Sequence, residues 1–208
     1  MKTMKLLPTL LAAAALSTSL GASAQDAAIR KTLGERIPQL QQIDEVRPTP
    51  MKGLYEDRIN KLTAVDFKAL PLQDAFTVVR GDGSRKLAVF EDPNCGYCKR
   101  FEKDMQNVDN VTVYMFLYPI LSPDSAEKSR NIWCAKDRVA AWDDHMLRDK
   151  VPAAASCDTS ALQRNLAFGR KHKITGTPTL IFSDGSRVPG AIGAQEVERR
   201  LTEVASSK

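Results

Sequence analysis

Long apolar runs are scarce in this 208-residue chain, and past Leu20 there is none. A bilayer span takes ~20 apolar residues, so no later segment qualifies and even Leu6 to Leu20 falls short. An integral membrane protein is not expected. Histidine is nearly missing: His145 and His172 are the only two, with no paired ligand spacing. A structural zinc site draws its ligands from close Cys or His pairs. Covalent haem attachment needs His directly after a C-x-x-C, where this chain has Lys99. Neither metal nor cofactor is therefore assigned. Excess charge is slight too, 30 basic against 25 acidic residues, and it is dispersed, whereas nucleic-acid binding wants a basic patch or stripe. No nucleic-acid partner is expected. The densest positive cluster, Arg170-Lys171-His172-Lys173, reads as a solvated helix end, where cations suit the negative pole of the macrodipole.

What is present is ordinary for a globular protein, 43% hydrophobic and 26% charged residues, with length for one domain or one plus a small extra piece. Lys2 and Lys5 precede the apolar stretch, Pro8 lies within it, and Ala22-Ser23-Ala24 follows. A basic start, a short apolar run and a small-residue site read as a cleavable secretory signal over residues 1–24.

All four cysteines follow that signal, and export places them where disulfides persist. Four cysteines permit three pairings. Cys95 and Cys98 are close enough to close on each other, which would leave Cys134 with Cys157. Staples from the pair to the two distant cysteines remain open on spacing alone.

Lys86 to Phe90 is a short apolar run of the kind that forms a strand buried on both faces. Glu91-Asp92-Pro93-Asn94 breaks it, and from Gly96 a helix is expected with Cys98, Phe101 and Met105 on one inward stripe. Cys95 then stands at the helix start, outside the stripe and nearest solvent. Unpaired N–H groups and partial positive charge gather there. They stabilise a thiolate, the attacking form, so Cys95 is the expected nucleophile and Cys98 the resolving thiol. Glu91 and Asp92 are weighed as proton-transfer groups against a role as plain exposed loop acids.

Val111 to Leu117 reads as a second buried strand, completing a βαβ unit. Ser122-Pro123 opens a helical stretch whose apolar face runs through Ile132, Ala135, Val139, Trp142 and Met146. Trp133 and Trp142 are assigned to packing. Asp158 is expected to cap a helix carrying Leu162 and Leu166. Pro178 opens an apolar strand ending at Phe182, and Ser183-Asp184-Gly185-Ser186 is a hairpin turn with Arg187 to Pro189 as the return strand. A last helix is expected from about Ala194 to Ala205, with Val197, Leu201 and Val204 inward.

Three segments together resemble the thioredoxin superfamily, and within it the periplasmic disulfide isomerases of the DsbC/DsbG type. They are Phe90 to Cys98 with its Cys-Gly-Tyr-Cys centre, Ile132 to Asp137, and Gly176-Thr177-Pro178. The resemblance implies an α/β, thioredoxin-like fold with a helical insertion over residues 73–208. Before it would stand a truncated N-terminal dimerisation-type segment over 25–56 and a linker helix over 57–72. It implies Cys95 and Cys98 as the redox pair, with Gly96 and Tyr97 tuning them, and Cys134–Cys157 as a structural disulfide. It further implies Thr177-Pro178 as a cis-proline dipeptide facing the pair, the Thr177 backbone pairing with extended substrate.

The implied activity is isomerisation or reduction of wrong disulfides in misfolded exported proteins in the periplasm. A membrane-bound thiol reductase of the DsbD type would restore the dithiol. Most of the family's N-terminal sheet is missing between Tyr55 and Arg58, so a homodimer is expected to be weak or absent. A net thiol oxidant on the same fold, and a non-catalytic chaperone or metal-binding module, are the competing readings.

Overall fold

The computed structural model describes residues 63–206, so the expected signal, the 25–56 segment and the start of the linker (57–62) lie outside the described residues. Five strands form one mixed sheet: β1 (Phe76–Arg80), β2 (Arg85–Glu91), β3 (Val111–Leu117), β4 (Thr179–Phe182) and β5 (Arg187–Pro189), in the order β1-β3-β2-β4-β5. β2 and β3 run parallel, and the other pairings are antiparallel. Among the described residues five α-helices accompany them: α1 (Gly96–Met105), α2 (Pro123–Trp133), α3 (Arg138–Arg148), α4 (Ser160–Lys171) and α5 (Ala194–Ser206). Among the described residues no helix is long and apolar enough to cross a membrane.

The two-residue period of a strand sorts the sheet into two cores. Leu87, Val89, Val113, Met115, Leu180 and Phe182 meet α1, α3 and α5 on one side. Ala88, Phe90, Phe116 and Ile181 pack on the other against Val65, Phe67, Leu70 and Ile174, with Leu166 and Phe168 of α4 alongside. β2 is buried throughout from Leu87 to Glu91, which is why it reads as a continuous apolar run. Glu91 shares the α1-facing side with Leu87 and Val89.

Four local features differ from the sequence expectation. The linker helix is not continued where it is described: residues 64–66 are irregular and short 3-10 turns follow at Phe67–Ala69 and Leu72–Asp74. Val65, Phe67 and Leu70 are buried against the sheet, and Val65 N–H donates to Gly185 O at 3.0 Å, so packing holds this stretch open against its helical propensity. The stretch opened by Ser122-Pro123 is two helices, because Cys134 ends α2 and Asp137 starts α3 by accepting from Ala140 N–H at 2.9 Å. Arg138 closes the corner with an N–H bond to Trp133 O at 2.6 Å and stacks over the Trp133 ring.

β1 was not foreseen. It is an edge strand, only alternately buried, with Val79 61% exposed. The expected cap of α4 is displaced by one residue: Thr159 holds the N-cap position, while Asp158 accepts from Ser160 N–H at 2.9 Å. Cys134 and Cys157 are joined in a disulfide, Cα–Cα 5.5 Å, tying the α2–α3 corner to the approach to α4.

Candidate active site

The turn that leaves β2 is fastened before it reaches the first thiol. Asp92 is fully buried; it accepts from Asn94 N–H at 2.8 Å, Ile120 N–H at 2.8 Å and Leu121 N–H at 2.9 Å. Its own carbonyl accepts from Cys95 N–H at 3.0 Å. With its oxygens so engaged, Asp92 is an anchor for the turn, not an exposed loop acid. Asn94 donates to Ser122 Oγ, Asp124 and Ser125 Oγ at 2.9–3.1 Å and accepts from Lys128. The Pro93 carbonyl lies 2.8 Å from His145 Nε2, whose ring also reaches Lys150 O. A Lys99–Asp149 ion pair links the first turn of α1 to the end of α3.

Cys95 is itself the N-cap of α1. Its sulfur accepts from Cys98 N–H at 3.1 Å, the bond a Ser or Asp oxygen makes at the same position. Its thiol hydrogen points to Thr177 O at 3.2 Å. The Cys95 thiol is held down at about 6 by bonding from the Cys98 thiol above all, which overcomes burial, with help from the Thr177 side chain and the Cys98 and Tyr97 backbone. Cys98 is pushed the other way, far above the ordinary thiol range, by burial first, then by its bond to Cys95 and the negative charge of Glu91. Cys95 is the nearer of the two thiols to solvent, as expected, though only just: it is 4% exposed against 0% for Cys98, and its sulfur lies against Thr177 O. The open groups at the site are Gly96 and Tyr97, the latter 65% exposed, with Ile120 and Leu121 beyond the Asp92 anchor.

Thr177-Pro178 is a cis peptide bond immediately before β4. Chain folding thus brings Cys95, Cys98, Gly96, Tyr97, Thr177 and Pro178 into one place. Cys134–Cys157 is a separate bridge, and Cys95 and Cys98 are free thiols. The spacing reading passed over Glu102. It lies four residues after Cys98 on the same buried stripe of α1 and is 4% exposed. An acid at an i+4 position from Cys98 is a signal that a count of apolar positions alone discards. Burial raises the carboxyls of both Glu91 and Glu102. Among the described residues no group of three or more His, Cys, Asp or Glu is placed to hold a metal ion. The arrangement joins a readily ionised thiol to a buried, reluctant one three residues on, which suits attack on a disulfide followed by internal displacement.

A family model for a thioredoxin-like domain matches residues 72–205, and one for the N-terminal domain of disulfide bond isomerase proteins matches residues 21–81. The probable thiol:disulfide interchange protein DsbC of Bordetella pertussis is 51% identical over 150 residues, covering 72% of this chain and 53% of that protein. The DsbC of Escherichia coli K12 is 36% identical over 121 residues, 56% of this chain and 50% of that protein. This chain therefore spans about half the length of the curated relatives it matches. Among solved structures, a disulfide interchange protein from Neisseria gonorrhoeae superposes with a TM-score of 0.61 at 37% identity, over 64% of this chain and 97% of that one.

Proposed function

The chain belongs to the thioredoxin-like family, and on that footing we propose that it carries out thiol:disulfide interchange on exported proteins, with Cys95 as the attacking thiol. The observation that carries this is the unequal pair: Cys95 held at about 6 while Cys98, three residues on, is pushed far up. Relatives named as thiol:disulfide interchange proteins support it.

In the proposed reaction the Cys95 thiolate attacks one sulfur of a wrong substrate disulfide. That S–S bond breaks, a mixed disulfide forms, and the second substrate sulfur leaves as thiolate. Another substrate thiolate can then displace Cys95, which rearranges the disulfide with no net electron transfer. Alternatively Cys98 displaces the substrate, which leaves reduced by two electrons while a Cys95–Cys98 disulfide forms. A membrane-bound thiol reductase of the DsbD type would return those electrons. Gly96 and Tyr97 shape the entrance, and the Thr177-Pro178 backbone takes an extended substrate strand. Cys134–Cys157 serves structure.

On the same proposal residues 1–24 direct export to the periplasm and the clients are misfolded, disulfide-containing exported proteins. Residues 25–56 are a shortened dimerisation-type segment, so the homodimer is weak or absent; sedimentation at micromolar concentration checks this, and a tight dimer refutes it. The central test is trapping. Cys98→Ala should accumulate mixed disulfides through Cys95 and Cys95→Ala should accumulate none; the reverse pattern overturns the proposal.

One observation favours a second reading, a net oxidant. Stabilising the Cys95 thiolate stabilises the reduced pair and makes the disulfide more oxidising. The redox state of the freshly isolated protein separates the two: reduced for the isomerase, oxidised for the oxidant.

A further inference from the structure

We propose that His145 is a positioning residue for the attacking thiol: as imidazolium it clamps the turn ahead of Cys95 to the end of α3, and loss of its proton opens the clamp. The proposal deepens the interchange reading above and rests on it.

The geometry of one ring carries it. His145 shares the buried face of α3 with Trp142 and Met146 and is 5% exposed. Its Nε2 lies 2.8 Å from Pro93 O and its Nδ1 lies 3.1 Å from Lys150 O. A carbonyl oxygen has no proton to give, so the ring must donate both bonds. Neutral imidazole has one N–H and keeps a lone pair on the other nitrogen, whereas imidazolium has two N–H groups. A neutral ring would therefore turn a lone pair toward one of the two oxygens. Both bonds stand together only in the cation, and a buried cation is tolerated where its N–H groups are bonded in this way.

The charged groups around the ring suit a cation. Asp124 of α2 and Asp149 beyond α3 both feel it: Lys128 and Asn94 hold the Asp124 carboxyl low, Lys99 holds that of Asp149 low, and the His145 charge adds to each. Lys103 of α1 also acts on Asp149. In the turn itself stand the buried Asp92 and the Cys95 thiol. On α3, Asp144 is paired with Arg148 and Lys150. Asp143 takes Arg80 of β1, and two residues back along a helix it does not face His145.

The two oxygens fix where the clamp acts. Asp92 fastens one side of the turn through three backbone N–H groups, and its carbonyl receives Cys95 N–H. Pro93 O is the hold on the other side. Lys150 is placed by the helix end, where Asp149 turns in left-handed backbone with φ 54° and its N–H bonds to Asp144 O. The start of α1, where the Cys95 sulfur accepts from Cys98 N–H, is thus tied to α3. Donors held in place stabilise a charge better than donors that must first be ordered. Deprotonation of the ring releases one oxygen, the turn loosens, and Cys95 binds its proton more tightly. The clamp is therefore closed in acid, where the thiolate most needs support, and the coupling is reciprocal: a Cys95 thiolate favours the imidazolium.

The test uses the reduced full-length protein. Nitrogen-15 spectra of the wild-type ring should show two N–H groups at acid pH, and as one is lost the carbonyl carbon of Pro93 or Lys150 should shift with the same midpoint. A ring with a single N–H from pH 5 to 9, or carbonyls that ignore its titration, overturns the clamp, and neither reading needs a variant. His145→Gln, whose amide does not titrate, should slow Cys95 alkylation about threefold or more on the acid side of its midpoint and match wild type in alkali. His145→Lys, which restores a cation with several N–H donors, should recover most of the acid-side rate. A merely structural role would lower stability and leave the pH profile alone, so an unchanged profile in His145→Gln also overturns the proposal. If wild-type Cys95 releases no thiolate from an aromatic disulfide, the interchange reading falls while the ring's titration still stands.

Discussion

A single sulfur decides whether the pair works. Cys95 caps α1, so every bond that steadies its charge also steadies the first turn of the helix. With its thiol at about 6, roughly nine-tenths of Cys95 is thiolate at pH 7. The rate of alkylation should therefore rise through a midpoint near pH 6 and label Cys95 alone; equal labelling of Cys98 sinks the assignment. Because the Cys98 thiol is the largest cause of that low value, Cys98→Ala should carry the midpoint upward. The helix start and its electrostatics were legible in the sequence from Gly96 onward. The burial of Cys95 was not, since Thr177, which covers it, comes from 82 positions away. Glu102 was missed for a different reason: a search for apolar residues on a stripe cannot register an acid placed there.

Helices and strands were legible where each could be recognised from its own residues. β2, β3, the inward faces of α1 and α5, and the Asp184-Gly185 turn all follow from periodicity or turn chemistry. The break between α2 and α3 depends on a cap and on the bridge from Cys134 to Cys157, 23 positions on. Replacing both cysteines with Ser should cost roughly 3 kcal/mol of unfolding free energy by the loop-closure model, read from denaturant midpoints, while Cys95 alkylation keeps its pH profile. A second element-level test lies in α4. Gly to Ala inside a helix ordinarily gains up to ~1 kcal/mol. At Gly169, however, a Cβ would sit 2.4 Å from the buried Tyr118 ring, whose hydroxyl donates to Ile174 O at 2.9 Å. Overpacking costs about 1–3 kcal/mol, so Gly169→Ala should lower stability in spite of its better propensity, and an increase would show that the ring yields freely.

For the folded unit as a whole, Glu91 and Cys95 pull stability in opposite directions with pH. Glu91 binds its proton more tightly folded than unfolded, so its contribution is fully present below the ordinary value of 4.5 and is lost as pH rises through the folded value. Cys95 holds its proton more loosely folded. Its contribution is present above the ordinary value of 9.0 and fades as pH falls toward about 6. Disulfide formation removes the Cys95 titration but leaves the buried carboxyls in place. Reduced and oxidised proteins should therefore differ in the slope of stability against pH between 6 and 9, the reduced form gaining relative to the oxidised as pH rises. Glu91→Gln should be closest to wild type in acid and progressively more stable than it above pH 4.5, since the amide has no charge to bury. Urea unfolding of the three proteins across pH 4 to 9 measures both slopes. A constant gap between Glu91→Gln and wild type would mean that Glu91 titrates alike in the folded and unfolded chains.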